Sequence, residues 1–232
     1  MFMERYLSLY KRNPLFRGIP EAELLPLLEC LRARRRACAK GSVLFARGET
    51  AHQLGIVLTG RVNTVYDDIL GGRSIIGSTD PGQLFCEAFA CAGSQSLPVS
   101  VVAQAESTVL LIDIDRILHS CAATCALHQQ LNENLIHILA EEYVSLNQKL
   151  IHLSGRTTRR KLLSYLSEQM RFSGGRPFVI PFNQQELADY LFIDRSGLST
   201  EWNKLKKEGV LHLENGRCTL RIPPCAGYDC GS

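Results

Sequence analysis

The sequence has no run of about 18 apolar residues of the kind a membrane-crossing helix needs, and its first residues, MFMERYLSLYKRNP, lack an apolar core of signal-peptide type. A cytoplasmic location with no membrane partner is expected. No Cys-X-X-Cys pair occurs, and the cysteines (Cys30, Cys38, Cys86, Cys91, Cys121, Cys125, Cys218, Cys225 and Cys230) make an odd total of nine. That argues against a zinc finger or a disulfide scaffold. There is no Ser-His-Asp set, phosphate loop or His-Glu-X-X-His, so an enzyme is not expected. The lone His52, His119, His137, His152 and His212 are expected as surface or packing residues.

Net charge is also small, +3 over 232 residues, with 45% hydrophobic and 21% charged content. This describes soluble globular protein, and the length favours two domains. The charge is unevenly spread. Residues 155–222 hold 12 Lys or Arg against 7 Asp or Glu, a net of +5, whereas residues 1–154 hold 14 against 15. A basic C-terminal part is drawn to phosphates through counterion release, although solvated surfaces often carry as much.

The most informative segment lies in that part. In NQQELADYLFIDRSGLSTEWNKL (183–205), Asn183 with Glu186 three residues later is a capping-box variant that starts a helix. Leu187, Ala188 and Leu191 form its inward stripe, and small Ala188 leaves room for a second helix to cross. Asp194 is placed to cap that second helix, whose buried face is Leu198, Trp202 and Leu205. Arg195, Ser196, Ser199 and Thr200 then stand on another face near its N-terminus, the part of a helix-turn-helix that reads base edges in the major groove. Gln184 and Gln185, at the start of the first helix, are candidate DNA contacts beside them. An ordinary helical hairpin would share the pattern. The downstream residues favour DNA binding, because Leu211–Glu214 and Arg217–Leu220 alternate around Asn215-Gly216, a two-residue hairpin signal. Helix, turn, helix and hairpin in that order predict a winged helix.

Upstream, residues 4–35 read as helical and end in the arginine run Arg32, Arg34, Arg35 and Arg36. Strand-like segments occupy 42–45, 54–58, 61–66, 73–76, 99–103 and 108–112, punctuated by Gly48, Thr59-Gly60, Gly71-Gly72 and Pro81-Gly82, as in a β-sandwich or roll. Residues 115–153 contain neither Pro nor Gly and predict one helix, about 58 Å long at 1.5 Å per residue. Its stripe Leu131, Leu135, Leu139, Tyr143, Leu146, Leu150 and Leu153 needs a partner helix, most economically its own copy in a homodimer, or else the same chain's β-roll. Ser154-Gly155 predicts its end and a hinge before Arg156.

In order, these features resemble the Crp/Fnr family of bacterial transcription factors, the cyclic-AMP receptor and the fumarate-nitrate reductase regulator. GSVLFARGETAHQLGIVLTGRVNTV resembles its β-roll, PGQLFCEAFACAGSQSLPVSVVAQAES its phosphate-binding cassette, and RTTRRKLLSYLSEQM with NQQELADYLFIDRSGLSTEWNKLKKEGVL its DNA-binding domain. The resemblance implies an α+β chain in four parts: a sensor roll (1–114), a dimerisation helix and hinge (115–154), a winged helix-turn-helix (155–222) and a tail (223–232). It implies a homodimer on a pseudo-palindromic double-stranded operator, contact with RNA polymerase if the protein is an activator, and a small-molecule effector. Arg195 matches a family position that contacts guanine, whereas Ser196 and Thr200 stand where the cyclic-AMP receptor has Glu and Arg. The operator should therefore differ.

The effector side departs further. Cyclic-AMP sensors hold ribose and phosphate with a Gly-Glu and an Arg-Ser pair. This chain keeps Glu87 but has Cys86 before it, and Leu97-Pro98 in place of Arg-Ser. A buried phosphodiester without a cation is strongly disfavoured, so tight cyclic-AMP binding is not expected. Cys86, Glu87, Leu97, Ser100 and His128 are the candidate lining of the effector pocket. Cys86 with Cys91, or Cys121 with Cys125 and His128, are of the types that suit an iron–sulfur cluster or haem, but no diagnostic motif supports either cofactor. Buried cysteines in a reducing compartment are more often small core residues.

Overall fold

The computed structural model describes residues 4–68, 72–93, 96–119, 125–214 and 216–221. Gly71, Cys121, Asn215 and the tail with Cys225 and Cys230 lie outside the described residues. The chain forms two compact units, Met1–Glu141 and Glu142–Ser232. Among the described residues no helix is long and apolar enough to cross a membrane.

The first unit opens with helices α1 (Leu7–Arg12) and α2 (Glu21–Cys30). The strands β1 (Arg34–Cys38), β2 (Val43–Phe45), β3 (Gln53–Thr59), β4 (Val62–Asp67), β5 (Arg73–Thr79) and β6 (Leu84–Phe85) come next. Then come α3 (Glu87–Ala92), β7 (Ser100–Ala103), β8 (Ser107–Asp113) and α4 (Ile114–Leu118). Two antiparallel sheets result, ordered β1-β8-β3-β6 and β2-β7-β4-β5. On β3 and β8 both faces are covered. Leu54, Ile56, Leu58, Leu110 and Ile112 join the helices in one core, while Val57, Val109 and Leu111 meet Val62, Val101 and Ala103 of the other sheet in a second. That is why these two strands read as nearly continuous apolar runs rather than alternating ones. Gly55 on β3 is required by this packing, because a Cβ there would stand 2.1 Å from Cζ of Phe85.

Two expectations about helices need correction. Helix does not continue to residue 35: α2 stops at Cys30, and Arg34–Cys38 pairs with β8 from Arg34 opposite Leu111 to Cys38 opposite Ser107. The hydrogen-bonding edge of β8 outweighs the helix propensity of an arginine run, and the exposed arginines keep the new edge in water. Nor is 115–153 one helix. Asp113 caps the short α4 by accepting from Asp115 N–H at 3.0 Å, α4 buries Ile114 and Ile117, and His119 then turns extended (φ −104°, ψ 90°). The next helix, α5 (Ala126–Leu153), has 28 residues, about 42 Å. Docking of α4 on the roll breaks the line, which no Pro or Gly announced.

The apolar stripe of α5 divides between two faces. Leu131, Leu135 and Ile138 are buried in the first unit's core, and Asn134 between them donates to the carbonyls of Leu15 and Arg17 at 2.9 and 2.8 Å. Ile136, Tyr143, Leu146 and Leu150 are bare, with 65%, 69%, 57% and 56% of their surface exposed.

In the second unit the end of α5 leads into α6 (Thr158–Phe172), α7 (Gln184–Leu191), α8 (Arg195–Lys207), β9 (Leu211–Glu214) and β10 (Arg217–Leu220). Thr157 caps α6, its hydroxyl accepting from Arg160 N–H. Leu162, Tyr165, Leu166, Leu187, Ala188, Leu191, Leu198, Leu205, Leu211, Cys218 and Leu220 form one core. β9 and β10 pair antiparallel, and Phe178 exchanges both backbone hydrogen bonds with Cys218, adding a third strand position to the wing.

Candidate nucleic-acid interface

Local chemistry builds the reading helix from the residues upward. Asn183 Oδ1 accepts from Glu186 N–H at 2.9 Å and Glu186 Oε2 accepts from Asn183 N–H at 2.8 Å, so the capping box is closed on both sides. α7 ends in a Schellman motif: Ile193 N–H donates to Ala188 O at 3.0 Å and Phe192 N–H to Asp189 O at 3.2 Å. Its left-handed residue is Phe192 (φ 50°) rather than glycine. Lys161 of α6 holds that turn, with Nζ donating to Leu191 O at 3.2 Å and Phe192 O at 3.3 Å. Asp194 precedes α8 in extended conformation as expected, but its side chain makes no cap hydrogen bond, so its help to α8 is confined to the helix dipole.

Leu198 and Leu205 are fully buried beneath α8, and Trp202 packs partly buried beside them. The opposite side presents the expected residues. Arg195, Ser196 and Thr200 are exposed and Ser199 is half-buried. Thr200 Oγ1 donates back to Ser196 O at 2.8 Å, which leaves its lone pairs outward. Gln184 and Gln185 are exposed at the start of α7, and Gln185 Nε2 is already held by Asp189 Oδ1 at 2.8 Å. Arg195 is thus the longest donor on a short-chained polar face.

Sequence reasoning missed three residues that fix this face. Arg159 bridges α6 to α8, with Nη1 3.0 Å from Glu201 Oε1 and its fork on the Glu208 carboxylate, and this hydrogen bonding holds Glu208 below the usual carboxylate range. Lys161 clamps the turn. His152 on α5 is buried between Ser164 and Glu168 of α6. Only distance in the fold, not spacing in sequence, pairs these groups.

In the sensor unit, Cys86 stands in left-handed conformation (φ 63°) where a glycine would be unstrained. Burial, then the neighbouring Glu87 charge, pushes the Cys86 thiol up to about 12. The same two causes raise Cys91, so Cys86, Glu87 and Cys91 gather around α3. Glu87 and Leu97 are buried. Leu97 is fastened by its backbone, N–H to Glu49 O at 2.8 Å and O to Gly48 N–H at 2.9 Å. Ser100 Oγ accepts from Arg47 N–H at 3.0 Å. His128 on α5 is buried, with no hydrogen-bond partner for Nδ1 among the described residues. Between Arg73 and Arg116 the chain contains no Lys, Arg or His, so the cassette brings no cation of its own. No three His, Cys, Asp or Glu side chains converge to hold a metal among the described residues. Cys38 and Cys218 are buried in apolar cores, as small core residues.

Comparison with known proteins agrees with this geometry. Residues 35–123 match the cyclic nucleotide-binding domain and residues 160–224 the Crp-like helix-turn-helix domain. The transcriptional activator protein FnrA of Stutzerimonas stutzeri is 24% identical over 186 residues, 78% of this chain and 74% of that one. The crystal structure of the Thermus thermophilus catabolite activator protein superposes with a TM-score of 0.53 at 25% identity, covering 90% of this chain and 94% of that one. The sensor domain of the regulator DNR from Pseudomonas aeruginosa shares the fold at 19% identity and a TM-score of 0.52, over 67% of this chain and 98% of that one. With a cyclic-nucleotide-binding-like roll ahead of a Crp-like winged helix, the chain belongs to the Crp/Fnr family of DNA-binding transcription regulators.

Proposed function

We propose that this regulator works in the cytoplasm as a homodimer that docks its two α8 helices in successive major grooves of a pseudo-palindromic operator, under control of a signal other than cyclic AMP. The observation that carries the DNA reading is the exposed polar N-terminal face of α8, with Arg195 at its head, on a turn closed by hydrogen bonds. Arg195 donates to a guanine edge, with Ser196, Ser199, Thr200, Gln184 and Gln185 beside it. Bare Ile136, Tyr143, Leu146 and Leu150 repeat at heptad-like spacing on α5 and supply the dimer seam. Where the protein activates, RNA polymerase is a further partner. A small effector acts only by preferring one arrangement of the reading helices over another.

The signal is argued from the cassette. Leu97 is buried where a phosphate would need a cation, and no Lys, Arg or His between Arg73 and Arg116 replaces it. A second reading, a haem ligated by His128, is favoured by that residue's buried, unpartnered Nδ1. To test the whole reading, duplexes are selected from random double-stranded DNA by the purified protein. Arg195→Ala is expected to lose about 1–3 kcal/mol of discrimination at one symmetric base pair while leaving oligomeric state unchanged. An unaltered sequence preference would refute the assignment. Calorimetric titration is expected to show no micromolar cyclic-AMP binding, and the absorbance spectrum of anaerobically purified protein separates haem from an uncoloured sensor.

A further inference from the structure

The last turns of α5 are built into the DNA-binding unit. His152 is 2% exposed, with Nε2 2.7 Å from Glu168 Oε2 and Nδ1 2.9 Å from Ser164 Oγ, so both ring nitrogens are engaged by α6. Its ring meets Tyr165 edge-on at 5.8 Å, within an aromatic group that includes Tyr190 and Phe182. One turn earlier, Lys149 Nζ lies 5.0 Å over the Tyr190 ring and 5.3 Å over the Phe192 ring. Phe192 is the left-handed residue of the helix-turn-helix turn, so α5 reaches the element that aims α8.

The corner after α5 is as tightly made. Ser154 N–H donates to Leu150 O at 2.9 Å and its hydroxyl to Ile151 O at 2.7 Å. A Cβ on Gly155 would stand 2.9 Å from Lys161 N and 3.0 Å from Arg160 Cβ. Gly155 is there for close packing against α6, not for freedom, and the hinge expected at Ser154-Gly155 is a packed corner. By contrast Glu141, Glu142, Tyr143, Val144 and Ser145 are all exposed.

We propose that Lys149 and His152 are positioning residues that fasten α5 to α6 and to the helix-turn-helix turn, so that residues 146–153 move as one body with the reading helix and the chain flexes before them, around 139–145. The inference rests on α8 being the reading helix only for its consequence. Rotation of α5 then turns the DNA-reading face directly, without passing through a flexible linker.

Amide hydrogen exchange on the full chain tests it, since exchange needs no knowledge of the operator. In the wild type, residues 146–160 are expected to exchange more slowly than 139–145. His152→Leu keeps bulk but loses both hydrogen bonds, and Lys149→Met keeps the stem but loses the cation. Each should speed exchange in 146–153, His152→Leu by roughly tenfold or more. His152→Gln, whose amide can serve both Ser164 and Glu168, should restore most of the protection, which a space-filling role would not require. Affinity for the selected duplex should fall in the same order. Fastest exchange at 154–157 in the wild type would overturn the proposal, as would unchanged exchange in both Lys149→Met and His152→Leu. Should His152→Leu fail to fold, Lys149→Met, at a half-buried position, and the wild-type pattern still decide. A wild type that selects no DNA would instead count against α8 as reader, with the exchange pattern judging the latch separately.

Discussion

Truncating Leu198 to alanine should unfold the reading apparatus selectively and visibly. Leu198 is fully buried on α8, in the core shared with Leu187, Ala188, Leu191 and Leu162. Leu-to-Ala at such a site costs about 2.7–5 kcal/mol, the spread depending on how far the surroundings collapse. Here α6, α7 and the wing all contribute to one core, and Lys161 and Arg159 tie α6 to the turn and to α8, so collapse is hindered and the upper half of the range is expected. For a unit of 60–100 residues each kcal/mol moves the melting midpoint by roughly 4–8 °C, giving a fall on the order of 15 °C or more. The assay is built into the chain. Trp202 is its single tryptophan and packs against this same core, so its fluorescence reports the second unit alone. Ser196→Ala, an exposed neighbour, should stay within about 0.5 kcal/mol of wild type. A Trp202 transition displaced by less than about 3 °C in Leu198→Ala would refute the claim that this core supports the helix-turn-helix.

Asn183→Ala removes one half of the capping box and should cost about 1 kcal/mol, read in the same fluorescence melt; no change would mean that Glu186 alone suffices. Tyr143→Glu with Leu150→Glu places charge on the bare α5 stripe and should convert a dimer to monomer in sedimentation; an unchanged sedimentation coefficient would exclude that face as the seam. Cys86, its thiol pushed up to about 12 by burial, should alkylate far more slowly at pH 8 in the native protein than in the unfolded chain, with exposed Cys30 labelled in both. Since the raised thiol favours the folded state while protonated, its contribution is complete below pH 9 and is lost as pH climbs from there toward about 12. Equal labelling of Cys86 and Cys30 in native protein would contradict the burial.

Asn183 with Glu186, the Leu187–Leu191 stripe and the Leu198–Leu205 stripe determined the helix-turn-helix from sequence alone, because caps and 3.6-residue periodicity are local and their partners lie within one or two turns. The strands β3, β4, β7 and β8 were legible for the same reason. What sequence could not decide was everything that depends on a distant neighbour. Arg34–Arg36 became a strand only because β8 offered an open edge, and α4 separated from α5 only because Ile114 and Ile117 had a core to enter. Leu131 and Leu135 were buried while Tyr143 and Leu150 were left bare, a division that no leucine spacing encodes. Ser154-Gly155, which reads locally as a break, is a packed corner because α6 returns against it. His152 looked like an unremarkable histidine until the fold set Glu168 and Ser164 on its two nitrogens, pairings 16 and 12 residues apart that only the tertiary structure could make.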